Sequence, residues 1–167
     1  KLIFKNILQA TENGEDLEAR GSLLVAANLA GTAFSHSMVG CVHGMAHATG
    51  ALYHVPHGIA NAILLTHGME YNFDEIKEKL TKLTPFMGIE ISGLSVEDSA
   101  AKTIAAVRSL TVRLNAMGAL PLRLRDVGVP EEGLPELAEY AVNDGTSWFN
   151  PREVVAEEIL LHLKNAY

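Results

Sequence analysis

The sequence predicts an all-α fold, a helical bundle, and three observations predict it. Apolar residues recur at three- and four-residue steps, as Ile104, Val107, Leu110 and Leu114 do. No segment alternates apolar and polar residues with period two over a useful length. The periodic stretches end at glycine, proline or capping residues rather than running into one another.

Taken in order, residues 1–10 read as the end of a helix, with Leu2, Ile3, Phe4, Ile7 and Leu8 at helical spacing. The chain opens in mid-pattern without an initiator Met, so the expectation is a fragment of a longer protein. Thr11-Glu-Asn-Gly is a turn. Residues 15–31 form a second helix, acidic at its start, with Leu17, Leu23, Leu24, Ala27 and Leu29 as its apolar stripe. Residues 42–53 are a helix of Gly, Ala and Met around two histidines. With so few large or charged side chains it should be buried on nearly all sides. Pro56 ends it and suits the first turn of the next, 57–71.

Residues 74–86 form an amphipathic, solvated helix, and 88–93 are a connector. Ser95-Val-Glu-Asp resembles a capping box and opens a helix that Gly118 ends near Met117. A loop bounded by Pro and Gly covers 119–129, a short helix 134–143, and a further loop 143–149. Asn150-Pro-Arg-Glu reads as a helix start, with Asn as cap, Pro at the first position and Glu reaching back. The last helix should run to about Lys164.

Length and charge narrow the function classes. At 167 residues the chain can bury a core without staples. Apolar residues make up 48%, and 13 basic against 20 acidic residues give a charge of −7. An acidic surface argues against nucleic acid or an anionic membrane as partner. Cys41 is the single cysteine, so an intrachain disulfide is impossible, and the expected location is cytoplasmic. Apolar runs such as 60–65 are too short to span a membrane.

The chemistry is concentrated in residues 40–71, which hold five of the seven histidines: His43, His47, His54, His57 and His67. His43 and His47, four apart, share one helix face. A proline turn can bring that face near the start of the next helix, where His57 lies. Imidazoles from the two helices could then share one divalent metal ion. Two ligands are too few for a catalytic centre, and no Asp or Glu occurs between Glu18 and Glu70. A buried histidine is also more often a hydrogen-bonded core residue than a ligand, so the residues alone leave both readings open. His36 and His162 read as structural or surface residues, and His54 and His67 as lining at best. Cys41 reads as a small buried apolar residue.

At this stretch, Gly40-Cys-Val-His-Gly-Met-Ala-His-Ala-Thr-Gly followed by His54-Val-Pro-His-Gly-Ile-Ala-Asn-Ala-Ile-Leu-Leu, the sequence resembles the iron-containing (group III) alcohol dehydrogenases. Asp16-Leu-Glu-Ala-Arg, Leu122-Arg-Leu-Arg-Asp-Val-Gly-Val and Asn150-Pro-Arg-Glu extend the resemblance over essentially the whole chain. The resemblance implies that residues 1–167 are the C-terminal, all-helical metal-binding domain of a two-domain enzyme, in a dehydroquinate synthase-like fold. The resemblance implies an NAD(P)-binding domain that is missing from residues 1–167, and no Gly-rich phosphate loop occurs among them. It implies a metal held by one Asp and three His. His43 and His57 match the last two histidines, and the other two ligands are expected upstream of Lys1. His47 matches a histidine thought to lie near nicotinamide and substrate and to relay a proton.

The implied function is interconversion of an alcohol with an aldehyde or ketone by hydride transfer with NAD or NADP. The implied metal is Fe(II), with Zn(II) suited to the same donors. A homo-oligomer is expected, since a fragment exposes apolar surface, helix 1–8 included. The fragment by itself should be inactive. Alternatives are a zinc-dependent enzyme resembling glycerol dehydrogenase, or a non-enzymatic helical module. Ala48-Thr49-Gly50 stands where many members have Pro-Leu-Gly, Thr66 where many have Pro, and His36 where many have Asn. These departures bear on the substrate subgroup, not the reaction class.

Overall fold

The computed structural model describes residues 1–167 and is all-α, with eight α-helices and no strand. The helices are α1 (Leu2–Glu12), α2 (Leu17–Ser37), α3 (Cys41–Tyr53), α4 (His57–Tyr71), α5 (Phe73–Leu83), α6 (Val96–Ala116), α7 (Leu134–Asn143) and α8 (Ala156–Asn165). Short 3-10 turns cover Thr84–Met87, Leu124–Val127, Glu131–Gly133 and Gly145–Phe149. The chain forms two compact units. One comprises Lys1–Met38 and Lys77–Ala119; the other comprises Val39–Ile76 and Leu120–Tyr167.

In the first unit α1 lies against α2 and also meets α6. Asp16 caps α2 by accepting from Ala19 N–H at 2.9 Å. Ser95 caps α6 through Asp98 N–H at 3.0 Å, and the Asp98 carboxylate accepts from the Ser95 hydroxyl at 2.8 Å. The expected box is therefore closed on the hydroxyl. Thr84 and Thr103 are both buried, their hydroxyls 2.6 Å apart, and Thr103 also donates to Leu80 O at 3.0 Å. Burial without these bonds would cost a few kcal/mol per hydroxyl, on the order of 1–3.

The structure corrects the reading of α2. The helix runs six residues beyond the expected end at Gly31, and its leucine stripe does not face a core. Leu17 is 76% exposed and Leu24 73%, Leu29 and Phe34 are exposed too, and only Ala19 and Ala26 are buried. Periodicity marks an apolar face but not what covers it.

The second unit carries the principal core, in which Met45, Leu64, Leu124, Leu134, Leu137, Ile159 and Leu163 are fully buried. Each such side chain contributes roughly 1.5–3 kcal/mol by leaving water. Here α3 packs against α4 and α7, and α8 packs against α4 and α7. As expected, α3 is buried on most sides, through Cys41, Gly44, Met45, Ala46, Ala48 and Thr49. The turn to α4 is made by His54 in the left-handed region (φ 56°) and by Pro56 capping α4. Helix α4 begins and ends where the sequence places it.

A second correction concerns Asn150-Pro-Arg-Glu, which starts no helix: α8 begins six residues later, at Ala156. The Asn150 amide is engaged elsewhere. Its Oδ1 accepts from Cys41 N–H at 3.1 Å and from Asn72 Nδ2 at 3.0 Å, and its Nδ2 donates to Asn72 Oδ1 at 2.7 Å and Arg152 O at 2.9 Å. A capping residue has thus capped a helix, but it is α3, more than a hundred positions away.

The approach of α3 to α7 depends on Gly44. A Cβ there would lie 2.5 Å from Ser147 Oγ and 2.8 Å from Ala141 O, which is backbone and cannot yield. Gly44→Ala is expected to destabilise the fold by about 1–3 kcal/mol through overpacking. Urea denaturation read by circular dichroism checks this, and an unchanged midpoint would refute the tight contact.

Candidate functional site

Three histidines converge in the second unit. His43 and His47 stand one turn apart on α3, and His57 opens α4 after the Pro56 turn. The ring centroids are 5.9 Å apart for His43 and His47, and 5.4 Å for both His43–His57 and His47–His57. His47 and His57 stack at an interplanar angle of 28°. A cleft of 530 Å³ runs along His43 and His57, walled by Val39, Val42, Ala62 and Leu65, with Gly58 and Asn61. It is a mostly apolar cleft with a few polar groups, the usual character of a small-molecule site.

The electrostatics favour neutral imidazole at His43. Burial comes first in pushing its pKa below the ordinary histidine value, His57 and His47 push the same way, and Asp144 opposes them. Neutral imidazole is the form that binds metal. Asn61, one turn along α4, lies with Nδ2 3.1 Å from His57 Nε2 and donates to His57 O at 3.0 Å. Asn61 also lines the cleft, and its Oδ1 is buried without a hydrogen-bond partner.

His47 is held differently. Its Nδ1 lies 3.0 Å from Asp144 Oδ2, while the side chain remains 40% exposed. The other carboxylate oxygen, Asp144 Oδ1, accepts from Thr146 N–H at 2.8 Å and from the Thr146 hydroxyl at 2.5 Å. Burial pushes the Asp144 carboxyl up, but the Thr146 bonds and His47 outweigh it and hold its pKa below the usual range. Asp144 follows α7 directly and starts the 3-10 turn Gly145–Phe149. The sequence predicts a loop over 143–149. The one available signal was Asp-Gly-Thr-Ser, a capping pattern; the pairing with His47, 97 positions away, had none.

No group of three or more His, Cys, Asp or Glu side chains is placed to hold a metal ion. His43 and His57 face each other as a pair of imidazoles, and His47 is tied to Asp144. The remaining histidines stand apart from this centre. His54 is exposed in the turn, and His36 is exposed with Nδ1 2.9 Å from Thr32 O. His67 faces Glu70, and His162 is half-buried edge-on to Tyr71. Cys41 is a buried free thiol, as expected, with Asn72 Nδ2 donating to its sulfur at 3.3 Å.

Residues 1–167 match the family profile described as Fe-containing alcohol dehydrogenase family, C-terminal. The chain is 41% identical over 167 residues to a 1,3-propanediol dehydrogenase of Klebsiella pneumoniae, covering 100% of this chain and 42% of that protein. It is 41% identical over 145 residues to a lactaldehyde reductase of Escherichia coli (strain K12), covering 87% of this chain and 37% of that one. A crystal structure of 1,3-propanediol oxidoreductase superposes with a TM-score of 0.94 and 42% identity, over 99% of this chain and 42% of that one. An alcohol dehydrogenase from Oenococcus oeni superposes with a TM-score of 0.92 and 36% identity, with the same coverage. The chain thus spans well under half the length of the relatives it matches. No single helix is long and apolar enough to cross a membrane.

Burial raises the Cys41 thiol to about 11, against weaker lowering by Asn72 and backbone groups. Thiolate is the reactive form. Iodoacetamide at pH 8 is expected to leave Cys41 unmodified in the folded chain and to alkylate it fully in denaturant, as read by intact mass. Rapid native labelling would overturn the buried placement.

Proposed function

Since residues 1–167 belong to the Fe-containing alcohol dehydrogenase family, we propose that they are the metal-binding, all-helical domain of a cytoplasmic NAD(P)-dependent alcohol dehydrogenase. The substrate is a small alcohol, or its aldehyde or ketone in reverse. The observation that most supports this is the meeting of His43, His47 and His57 beside an apolar cleft. The nucleotide would be held by residues outside 1–167, and the whole protein would be a homo-oligomer.

The donors fit a divalent ion. Two imidazoles from different helices stand with rings 5.4 Å apart, one favoured as neutral by its burial, and Asn61 Oδ1 beside them lacks a partner. His43 and His57 would ligate it, with further donors from outside this sequence completing the set. Bound there, Fe(II) or Zn(II) supplies a Lewis acid for the alcohol or carbonyl oxygen.

A nicotinamide held by residues outside 1–167 would supply the hydride acceptor for alcohol oxidation, which leaves the hydroxyl proton to a base on this chain. His47 is the base in this reading. It stacks on the His57 ring, so it adjoins the ligand pair, and its partial exposure lets the proton pass on to water. Val39, Val42 and Leu65 limit water in the cleft and suit the carbon chain of a small alcohol.

In the full-length polypeptide, His43→Ala and His57→Ala are expected to lose bound metal and activity together. His47→Asn should retain metal while its turnover falls by about 10²–10⁴, the usual weight of a positioned acid–base group. Metal analysis beside steady-state kinetics checks this. Full metal retention in both ligand variants would refute the assignment. The 167-residue chain by itself should self-associate in sedimentation and give no NAD(P)H-linked alcohol turnover, and turnover by a preparation of these residues alone would overturn that expectation.

A further inference from the structure

We propose that Asp144 is a positioning residue for His47, setting its tautomer so that Nδ1 carries the hydrogen and Nε2 is the proton acceptor. The proposal deepens the reading above and rests on His47 acting as base.

The geometry of the carboxylate carries it. Asp144 uses its two oxygens for two separate tasks. Oδ1 takes both Thr146 donors, the backbone N–H at 2.8 Å and the hydroxyl at 2.5 Å, and is thereby fixed in place at the start of the 3-10 turn. Oδ2 is then left pointing at His47 Nδ1, 3.0 Å away. An ionised carboxylate can only accept. Nδ1 must therefore donate, and in the neutral ring the lone pair available for a proton lies on Nε2. The same bond keeps Nδ1 from competing as a metal ligand and fixes the plane in which the ring stacks on His57.

The support behind the carboxylate is itself held. Ser147 Oγ donates to Ala141 O at 2.6 Å, closing the 3-10 turn onto the end of α7, and Gly44 lets α3 come down on that junction. His47 lies one turn beyond Gly44, so the contact that admits no Cβ at Gly44 also sets the His47–Asp144 distance. During alcohol oxidation the substrate proton moves to Nε2 and then to water. The Nδ1 hydrogen stays on the ring, and Asp144 stabilises the imidazolium without taking a proton.

The test is Asp144→Asn in the full-length polypeptide. Thr146 still donates twice and so retains the amide oxygen, which presents the NH₂ to His47 Nδ1. A donor there forces Nδ1 to accept and places the hydrogen on Nε2. Nitrogen-15 spectra of histidine-labelled, metal-free protein report the two ring nitrogens directly, with His47 assigned by its loss in His47→Asn. In the wild type Nδ1 is expected as the protonated nitrogen. In Asp144→Asn the pattern should invert, with kcat falling about 10²–10⁴-fold at nearly constant KM and unchanged metal content. Asp144→Glu should recover part of the rate with the wild-type pattern.

A wild-type His47 protonated on Nε2 overturns the proposal without any variant, so a failure of Asp144→Asn to fold leaves it decidable. Asp144→Asn that loses metal, or that loses rate with the wild-type nitrogen pattern, marks a merely structural role and also overturns it. A wild type with the expected tautomer but no alcohol turnover would retain the positioning role and sink the proposed function instead.

Discussion

The second unit depends on one close approach, that of α3 to the end of α7 at Gly44. Where the next atom would be a Cβ there is already a hydroxyl and a backbone carbonyl, so the two helices meet at backbone distance. Close packing of that kind transmits position, because the interior does not deform cheaply. One turn further along α3 is His47, and the residue that ends α7 is followed by Asp144, which makes their pairing a consequence of the contact. The small residues of α3 follow from the same constraint: Ala46, Ala48 and Gly44 let a helix with two histidines lie deep between α4 and α7.

A polar clamp holds the other end of α3. The Asn72 and Asn150 amides bond each other reciprocally, and Asn150 also satisfies the first N–H of α3. Residues 150–155 are bound in turn to the end of α4. The Tyr71 hydroxyl donates to Glu153 O at 2.7 Å and accepts from Val155 N–H at 3.1 Å. Arg152 donates to Tyr71 O, pairs with Glu158 and lies 4.3 Å over the Tyr71 ring. Buried amides and backbone groups persist because each has a partner, and an unpaired one would cost on the order of 1–3 kcal/mol. The helices bearing His43, His47 and His57 are thus held from both ends by groups that carry no chemistry of their own.

Much of this was legible in the chain, and the failures are instructive. The bounds of α4 and α7 follow from Pro56, Asn72 and the Leu134–Asn143 pattern, all local signals. Asn150-Pro-Arg-Glu carries every local mark of a helix start and yet is none. Its amide is engaged by Cys41 and Asn72, and a tertiary bond outweighs a local propensity worth about 1 kcal/mol. The leucines of α2 show the same limit: the periodicity is real, and the face it defines is exposed in this chain.

Residue chemistry and spacing by themselves determined the all-α class, the concentration of histidines in residues 40–71 and the sharing of one face by His43 and His47, while the family came from the resemblance of whole motifs. These depend on local steric rules and on patterns within a few turns, which a linear string records. Only the tertiary structure decided that His57 comes within 5.4 Å of both other rings, that Asp144 and not a neighbour in sequence partners His47, and that Asn150 caps α3. Such pairings join residues scores of positions apart, and their selection comes from burial and backbone approach, which exist only once the helices are packed.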